Sequence, residues 1–94
     1  MMNYTLTLTK AEILDIRMAL IAARVASNND GHRFMALRNK IIDQKSLTLT
    51  LTRAEVGDIR MALIAACAAS NNGGHRFMVL RDKIIGQQKE QKAA

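Results

Sequence analysis

TLTLTKAE (Thr5–Glu12) and TLTLTRAE (Thr48–Glu55) are one passage repeated, with Lys10 exchanged for Arg53. In each, leucine alternates with threonine, which puts the leucines on one face and the β-branched threonines on the other. This is the pattern of a short, half-buried strand. The last threonine then opens T-K-A-E or T-R-A-E, a capping box. The hydroxyl of Thr9 or Thr52 accepts from the backbone N–H three residues on, while Glu12 or Glu55 accepts from the threonine's own N–H. Each strand is therefore expected to run straight into a helix.

Outward from the capping boxes, the first helix of each unit should extend to about Ala26 or Ala69. It should stop at SNNDG (Ser27–Gly31) or SNNGG (Ser70–Gly74), whose residues favour turns and left-handed backbone. A second helix follows, roughly His32–Ile42 and His75–Ile85, with Phe34, Leu37 and Ile41 on one face of the first copy. An offset of 43 positions makes 31 of the 41 residues from Thr5 to Lys45 identical, so the chain is a tandem repeat. The differences include Leu14 to Gly57, Arg24 to Cys67, Val25 to Ala68 and Asp30 to Gly73.

These readings give a mainly α fold with short β: tandem β-α-α repeats, two helical hairpins joined through a small two-stranded ribbon. The first repeat spans 1–45, the second 46–88, and 89–94 is a polar tail without apolar periodicity, expected to fray, on what is otherwise one compact domain. A lone ribbon is marginal in water. The two strands are expected to pair with each other or with those of another subunit, with the hairpins packed on one face.

Composition agrees with packed helices. Hydrophobic residues make up 49% of the 94, but aromatics only 3%, so Leu, Ile, Met and Ala must fill the core. A chain this short has a thin core, and a homo-oligomer is expected, with a dimer as the first guess. Fourteen Lys and Arg against eight Asp and Glu give a net charge of +6, which favours anionic partners. The single Cys67 excludes an intrachain disulfide and a cysteine metal cluster and fits a reducing cytosol. No signal-peptide layout opens the chain, and the apolar run Met61–Ser70 falls far short of the roughly 20 residues of a membrane span. The expectation is a protein of the host cytoplasm with no membrane partner, no cofactor and no metal.

Candidate binding residues come from two places. Around the first helix, Leu14, Met18, Ile21 and Val25 form one apolar stripe and Ile13, Ile16 and Leu20 a second, leaving little of the surface for water. Between them lie Lys10, Arg17 and Arg24, seven apart. These cations either snorkel from the edge of the packing or line an anion groove, with Arg60 as the counterpart of Arg17 in the second copy. The second place is Gly-His-Arg-Phe, at His32, Arg33 and Phe34 and again at His75, Arg76 and Phe77. It sets two basic residues in a helical first turn, where the dipole disfavours cations unless an anion joins them. The arginines and histidines would clamp phosphates and a phenylalanine would contact a base. Alternatively, the passage simply starts a helix, its polar groups in water and its phenylalanine in the core.

Signatures of catalysis are lacking: there is no Walker loop, HExxH, CxxC or nucleophile elbow, and neither histidine has an orienting partner common to both copies. The reading is that the protein is not an enzyme. The second helices carry Arg33, Arg38 and Lys40, and Arg76, Arg81 and Lys83, a basic face that a small DNA-binding regulator would use, but the spacing of a helix-turn-helix domain is missing.

The run TLTKAEILDIRMAL, followed by a polar turn and LRNKI, resembles the short helical-hairpin proteins encoded in bacteriophages and prophages. The resemblance rests on the apolar pattern together with Asp15, Arg17, Arg38 and Lys40, and it implies phage origin and a role against host defence. It brings no catalytic or binding residues with it. The leading expectation is a counter-defence binding protein that sequesters an anionic ligand such as a nucleotide immune signal through Arg17, Arg24, His32, Arg33, Phe34, Arg60, His75, Arg76 and Phe77. The alternatives are an interaction module that inhibits a host defence enzyme, and the small DNA-binding regulator.

Overall fold

In the computed structural model, which describes residues 3–26, 31–70 and 74–93, the chain runs β1 (Asn3–Thr7), α1 (Lys10–Ala26), α2 (Gly31–Gln44), β2 (Thr48–Thr52), α3 (Arg53–Ala69) and α4 (His75–Ala93). The turns expected at 27–30 and 71–73 lie outside the described residues. Both capping boxes form: the Glu12 amide donates to Thr9 Oγ1 at 3.1 Å and the Glu55 amide to Thr52 Oγ1 at 3.2 Å, with the reciprocal bonds at 2.8 Å each.

β1 and β2 pair antiparallel within the chain, with Tyr4 opposite Leu51, Thr5 opposite Thr50 and Leu6 opposite Leu49. The alternation buries Tyr4, Leu6, Leu49 and Leu51 and turns the threonines outward. Pairing one strand with its own repeat, antiparallel, relates the two units by an approximate two-fold axis, and the contacts between them come in matching pairs. Arg33 meets Asp58 at 3.5 Å and Arg76 meets Asp15 at 3.5 Å, while Lys40 meets Glu55 at 2.6 Å and Lys83 meets Glu12 at 2.7 Å.

At the centre α1 packs on α3, and the two helices bury equivalent residues: Ile16, Ala19, Leu20 and Ala23 in one, Ile59, Ala62, Leu63 and Ala66, with Val56, in the other. The alanines let the two helices approach closely. The outer helices add Phe34, Leu37 and Ile41, and Phe77, Leu80 and Ile84. Each large apolar side chain so buried contributes about 1.5–3 kcal/mol. The radius of gyration, 12.5 Å, is that of a single compact body of this length.

One expectation is corrected. The stretch 89–94, read as a frayed tail, continues α4 to Ala93. Gln87 and Gln91, four apart and so on one helix face, each grip the outer edge of β1. The amide oxygens accept from Thr7 and Thr5 N–H at 2.9 and 2.8 Å, and the amide nitrogens donate to the same residues' carbonyls. Gln44 grips Thr50 on the edge of β2 in the same way, after which Lys45, at φ 48°, turns the chain away from the helix. Of the two apolar stripes on α1, the fold covers the side that carries Ile16 and Leu20, while Leu14, Met18, Ile21 and Val25 face outward with 45%, 55%, 42% and 75% of each residue exposed.

Candidate binding grooves

The structure answers why cations stand in the first turns of α2 and α4. Arg33 and Arg76 reach across to Asp58 and Asp15, and each guanidinium also lies over the neighbouring ring, 5.1 Å from the centroid of Phe34 and 4.9 Å from that of Phe77. A carboxylate on the opposite repeat thus compensates the unfavourable helix end. Phe34 and Phe77 are each 4% exposed, in the core, where a base cannot reach a ring face. His32 and His75 are exposed, and neither bonds to another described side chain. The phenylalanines are thus in the core, as a plain helix start would have them, but the arginines are held by carboxylates of the opposite repeat rather than left in water. Lys40 and Lys83 are also paired with carboxylates, so much of the basic face that would suit DNA is neutralised within the molecule.

Those carboxylates feel the arrangement. Partial burial pushes Glu12 upward most strongly. The hydrogen bond from Lys83, the Thr9 backbone N–H, the Lys83 charge and the Thr9 hydroxyl together outweigh it and leave Glu12 below its ordinary value. Glu55 is lowered in the same way: burial raises it, and Lys40 and Thr52 overcome the burial.

Unneutralised cations collect elsewhere. Between the start of α1 and the end of α2 lies a groove of about 270 Å³, with Ile13, Leu14, Ile41, Ile42 and Leu47 as apolar walls and Lys10, Arg17 and Lys45 around it. No carboxylate among the described residues lies within ion-pair distance of these three cations. The two-fold axis generates a second groove of about 240 Å³ between α3 and α4, lined by Tyr4, Arg53, Arg60, Ile85, Gln88 and Lys89. Here Tyr4 takes the place of Leu47, Gly57 removes the wall that Leu14 supplies, and Gln88 replaces Lys45. Gln88 also accepts a hydrogen bond from Arg60 at 3.4 Å.

The nine residues expected to bind are therefore not brought together. Arg17 and Arg60 lie in separate grooves, and the His-Arg-Phe passages stand at other positions of the fold. Arg24 is exposed near the start of α2, where a side chain on Gly31 would come within 2.9 Å of its Cγ. Sequence reasoning left Lys45, Ile42 and Leu47 out of the site. Lys45 and Leu47 lie on the connection into β2, where helical periodicity carries no information, and only the return of that connection to α1 makes them neighbours.

Among the described residues no cluster of His, Cys, Asp and Glu could hold a metal ion, and no helix is long and apolar enough to cross a membrane. The chain matches no protein family, no curated protein and no solved structure.

Proposed function

We propose that the protein is a non-enzymatic binding protein that holds an anionic small molecule in the groove formed by Lys10, Arg17 and Lys45. One observation carries this reading: Lys10, Arg17 and Lys45 stand together around an apolar floor with no carboxylate partner among the described residues, whereas Arg33, Lys40, Arg76, Arg81 and Lys83 are each paired with a carboxylate. A guanidinium and two ammonium groups suit phosphate oxygens, and the isoleucines and leucines suit a flat or apolar body. At about 270 Å³ the groove sits near the lower end of small-molecule sites, which fits one nucleotide better than a polymer. The resemblance to phage helical-hairpin proteins supports a biological role: a nucleotide immune signal held here is withdrawn, by mass action, from its effector in the host cytoplasm.

The test is a calorimetric and melting titration of the full chain with cyclic and linear nucleotides, beside Lys10→Gln/Arg17→Gln/Lys45→Gln. A ligand bound to the native state alone raises the melting temperature by linkage. The triple variant should lose that rise while keeping its own melting curve. If no nucleotide shifts the protein, or the triple variant binds as well, the reading fails.

A further inference from the structure

We infer that the outer face of α1 is a docking seam for one acidic amphipathic helix of another protein. This goes beyond the groove reading and does not depend on it. Leu14, Met18, Ile21 and Val25 follow one another at intervals of four, three and four, the spacing that keeps apolar side chains facing a partner helix in a two-helix seam. All four are at least 42% exposed, and Leu47, 52% exposed, lies beside Leu14 at one end. Scattered single apolar residues on a surface need no explanation, but a row of four in seam register on a helix whose opposite face is already buried does.

The edge of the seam identifies the partner. Lys10, Arg17 and Arg24, seven apart, occupy the flanking position whose charge selects a coiled-coil partner, and none has a carboxylate among the described residues. Arg33, Lys40, Arg76 and Lys83, by contrast, are each matched across the two-fold axis. A second copy of the chain is a poor occupant. Two α1 helices crossing antiparallel would set this basic edge against itself, and like charges facing each other cost affinity. In a parallel pair Lys10 would face the partner copy's Asp15, a residue each chain already gives to its own Arg76. Strand addition is also blocked where Gln44, Gln87 and Gln91 occupy the ribbon edges. A helix carrying glutamates or aspartates beside its apolar row satisfies both the stripe and its edge.

The second repeat supplies an internal control. The equivalent row on α3 reads Gly57, Met61, Ile64 and Ala68, and its flank reads Arg53, Arg60 and Cys67. It lacks two anchors and one cation, so each chain should offer one seam.

The experiment titrates the full chain with synthetic helical peptides of about three heptads, leucine at the seam positions, with glutamate at the flanks in one and lysine in the other. The glutamate peptide should bind one to one, at least about tenfold tighter than the lysine peptide, and weaken with salt. Met18→Asp/Val25→Asp should cost at least about tenfold in peptide affinity while leaving nucleotide titration of the groove unchanged, so that the two readings fail separately. Where the melting curve shows that these aspartates unfold the chain, Met18→Ser/Val25→Ser takes their place. Arg17→Glu/Arg24→Glu should reverse the preference between peptides, and Gly57→Leu/Cys67→Arg/Ala68→Val should raise the stoichiometry towards two. Equal affinity for both peptides, or undiminished binding by the seam variants, overturns the inference. So does a dimer in sedimentation that Met18→Asp/Val25→Asp dissolves, which would make a second copy the occupant.

Discussion

The two repeats differ at ten of their 41 aligned positions, and the differences are not spread evenly through the structure. Among pairs whose surroundings are described, Ile13/Val56 reaches the core in both copies and Arg24/Cys67 only through Cys67, and no differing pair is buried in both copies. The identical residues form the α1–α3 contact, the reciprocal ion pairs and the outer-helix core. The different ones line the grooves and the outer face. The approximate two-fold axis supplies the physical reason. A buried side chain on α1 sits in the core that α3 shares, so a change in one copy disturbs both, whereas a change at Val25, 75% exposed, meets mostly solvent. Divergence between the halves is therefore concentrated where it disturbs the shared core least.

The hardest test of that comparison removes equivalent core residues. Ile16 and Ile59 are both fully buried, and Ile16→Ala and Ile59→Ala should each cost about 2–5 kcal/mol, by similar amounts. Each should also lower one cooperative transition of the whole chain. Urea melts followed by circular dichroism decide this. If one variant unfolds only half of the molecule, the repeats are independent modules and the comparison collapses.

Glycines sharpen it next, because shared and unshared glycines should respond with opposite signs. A side chain at Gly31 would meet the Arg24 carbonyl at 2.9 Å, and one at Gly74 the Cys67 carbonyl at 2.8 Å. Each marks the close approach of a second helix to the end of the first. Gly31→Ala and Gly74→Ala should destabilise by about 1–3 kcal/mol, since backbone has to move. Gly57 and Gly86 belong to the second repeat alone, and an added Cβ meets nothing within 4 Å. Gly57→Ala and Gly86→Ala should stabilise by roughly 1 kcal/mol through helix propensity. Melting temperatures of the four variants give the signs directly. A destabilised Gly57→Ala would mean that α3 needs a close contact there.

The same contrast explains what could be read from the sequence. The strands, capping boxes and helices were legible because period two, the Thr-x-x-Glu spacing and the apolar faces are local signals. The Phe34, Leu37 and Ile41 face was legible too. The outward turn of Leu14, Met18, Ile21 and Val25 was not, since periodicity shows that a stripe is apolar but not what covers it. Gln91 looked like tail because its partner on β1, Thr5, is 86 residues away in sequence. The site was the least legible part. Arg33 and Arg76 advertised an anion site, but their anions are Asp58 and Asp15 on the opposite repeat, and the unpaired cations of the groove come partly from a connection with no pattern of its own.

The glutamine clamps should produce a smaller effect. Gln44 alone grips the described edge of β2, whereas β1 has both Gln87 and Gln91. These contacts lie near solvent, so water takes over part of what is lost, and a net hydrogen bond is worth about 0.5–1.5 kcal/mol. Gln44→Ala should therefore cost about 1–2 kcal/mol in total and Gln87→Ala less. Amide exchange should speed up at Thr50 in the first variant and at Thr7 in the second. Equal loss of protection on both strands from either variant would show that the ribbon opens as a unit.

The smallest expected effect tests the symmetry of the ion pairs through pH. Glu12 and Glu55 both lie below the ordinary value of 4.5 in the folded chain. A carboxyl whose folded value is depressed binds protons more readily in the unfolded chain, so its contribution is fully present above the unfolded value. It is lost as pH falls through 4.5 towards the lower folded value. The Lys83–Glu12 and Lys40–Glu55 pairs are partly exposed, and such pairs contribute only about 0–1 kcal/mol each at neutral pH. Glu12→Gln and Glu55→Gln keep an acceptor for the capping box and remove the titrating charge. Each should therefore lower the melting temperature slightly near neutral pH and flatten its decline in acid, until the variants meet the unmutated protein once both carboxyls are protonated. Because the two pairs are related by the two-fold axis, the two single variants should give superimposable profiles, with the double variant flatter than either. Melting curves from about pH 7 to about pH 3 provide the measurement. A double variant whose profile runs parallel to the unmutated protein throughout would remove the carboxylates from the stability of the fold. Single variants that diverge would show that the two halves, matched in geometry, are not matched in energy.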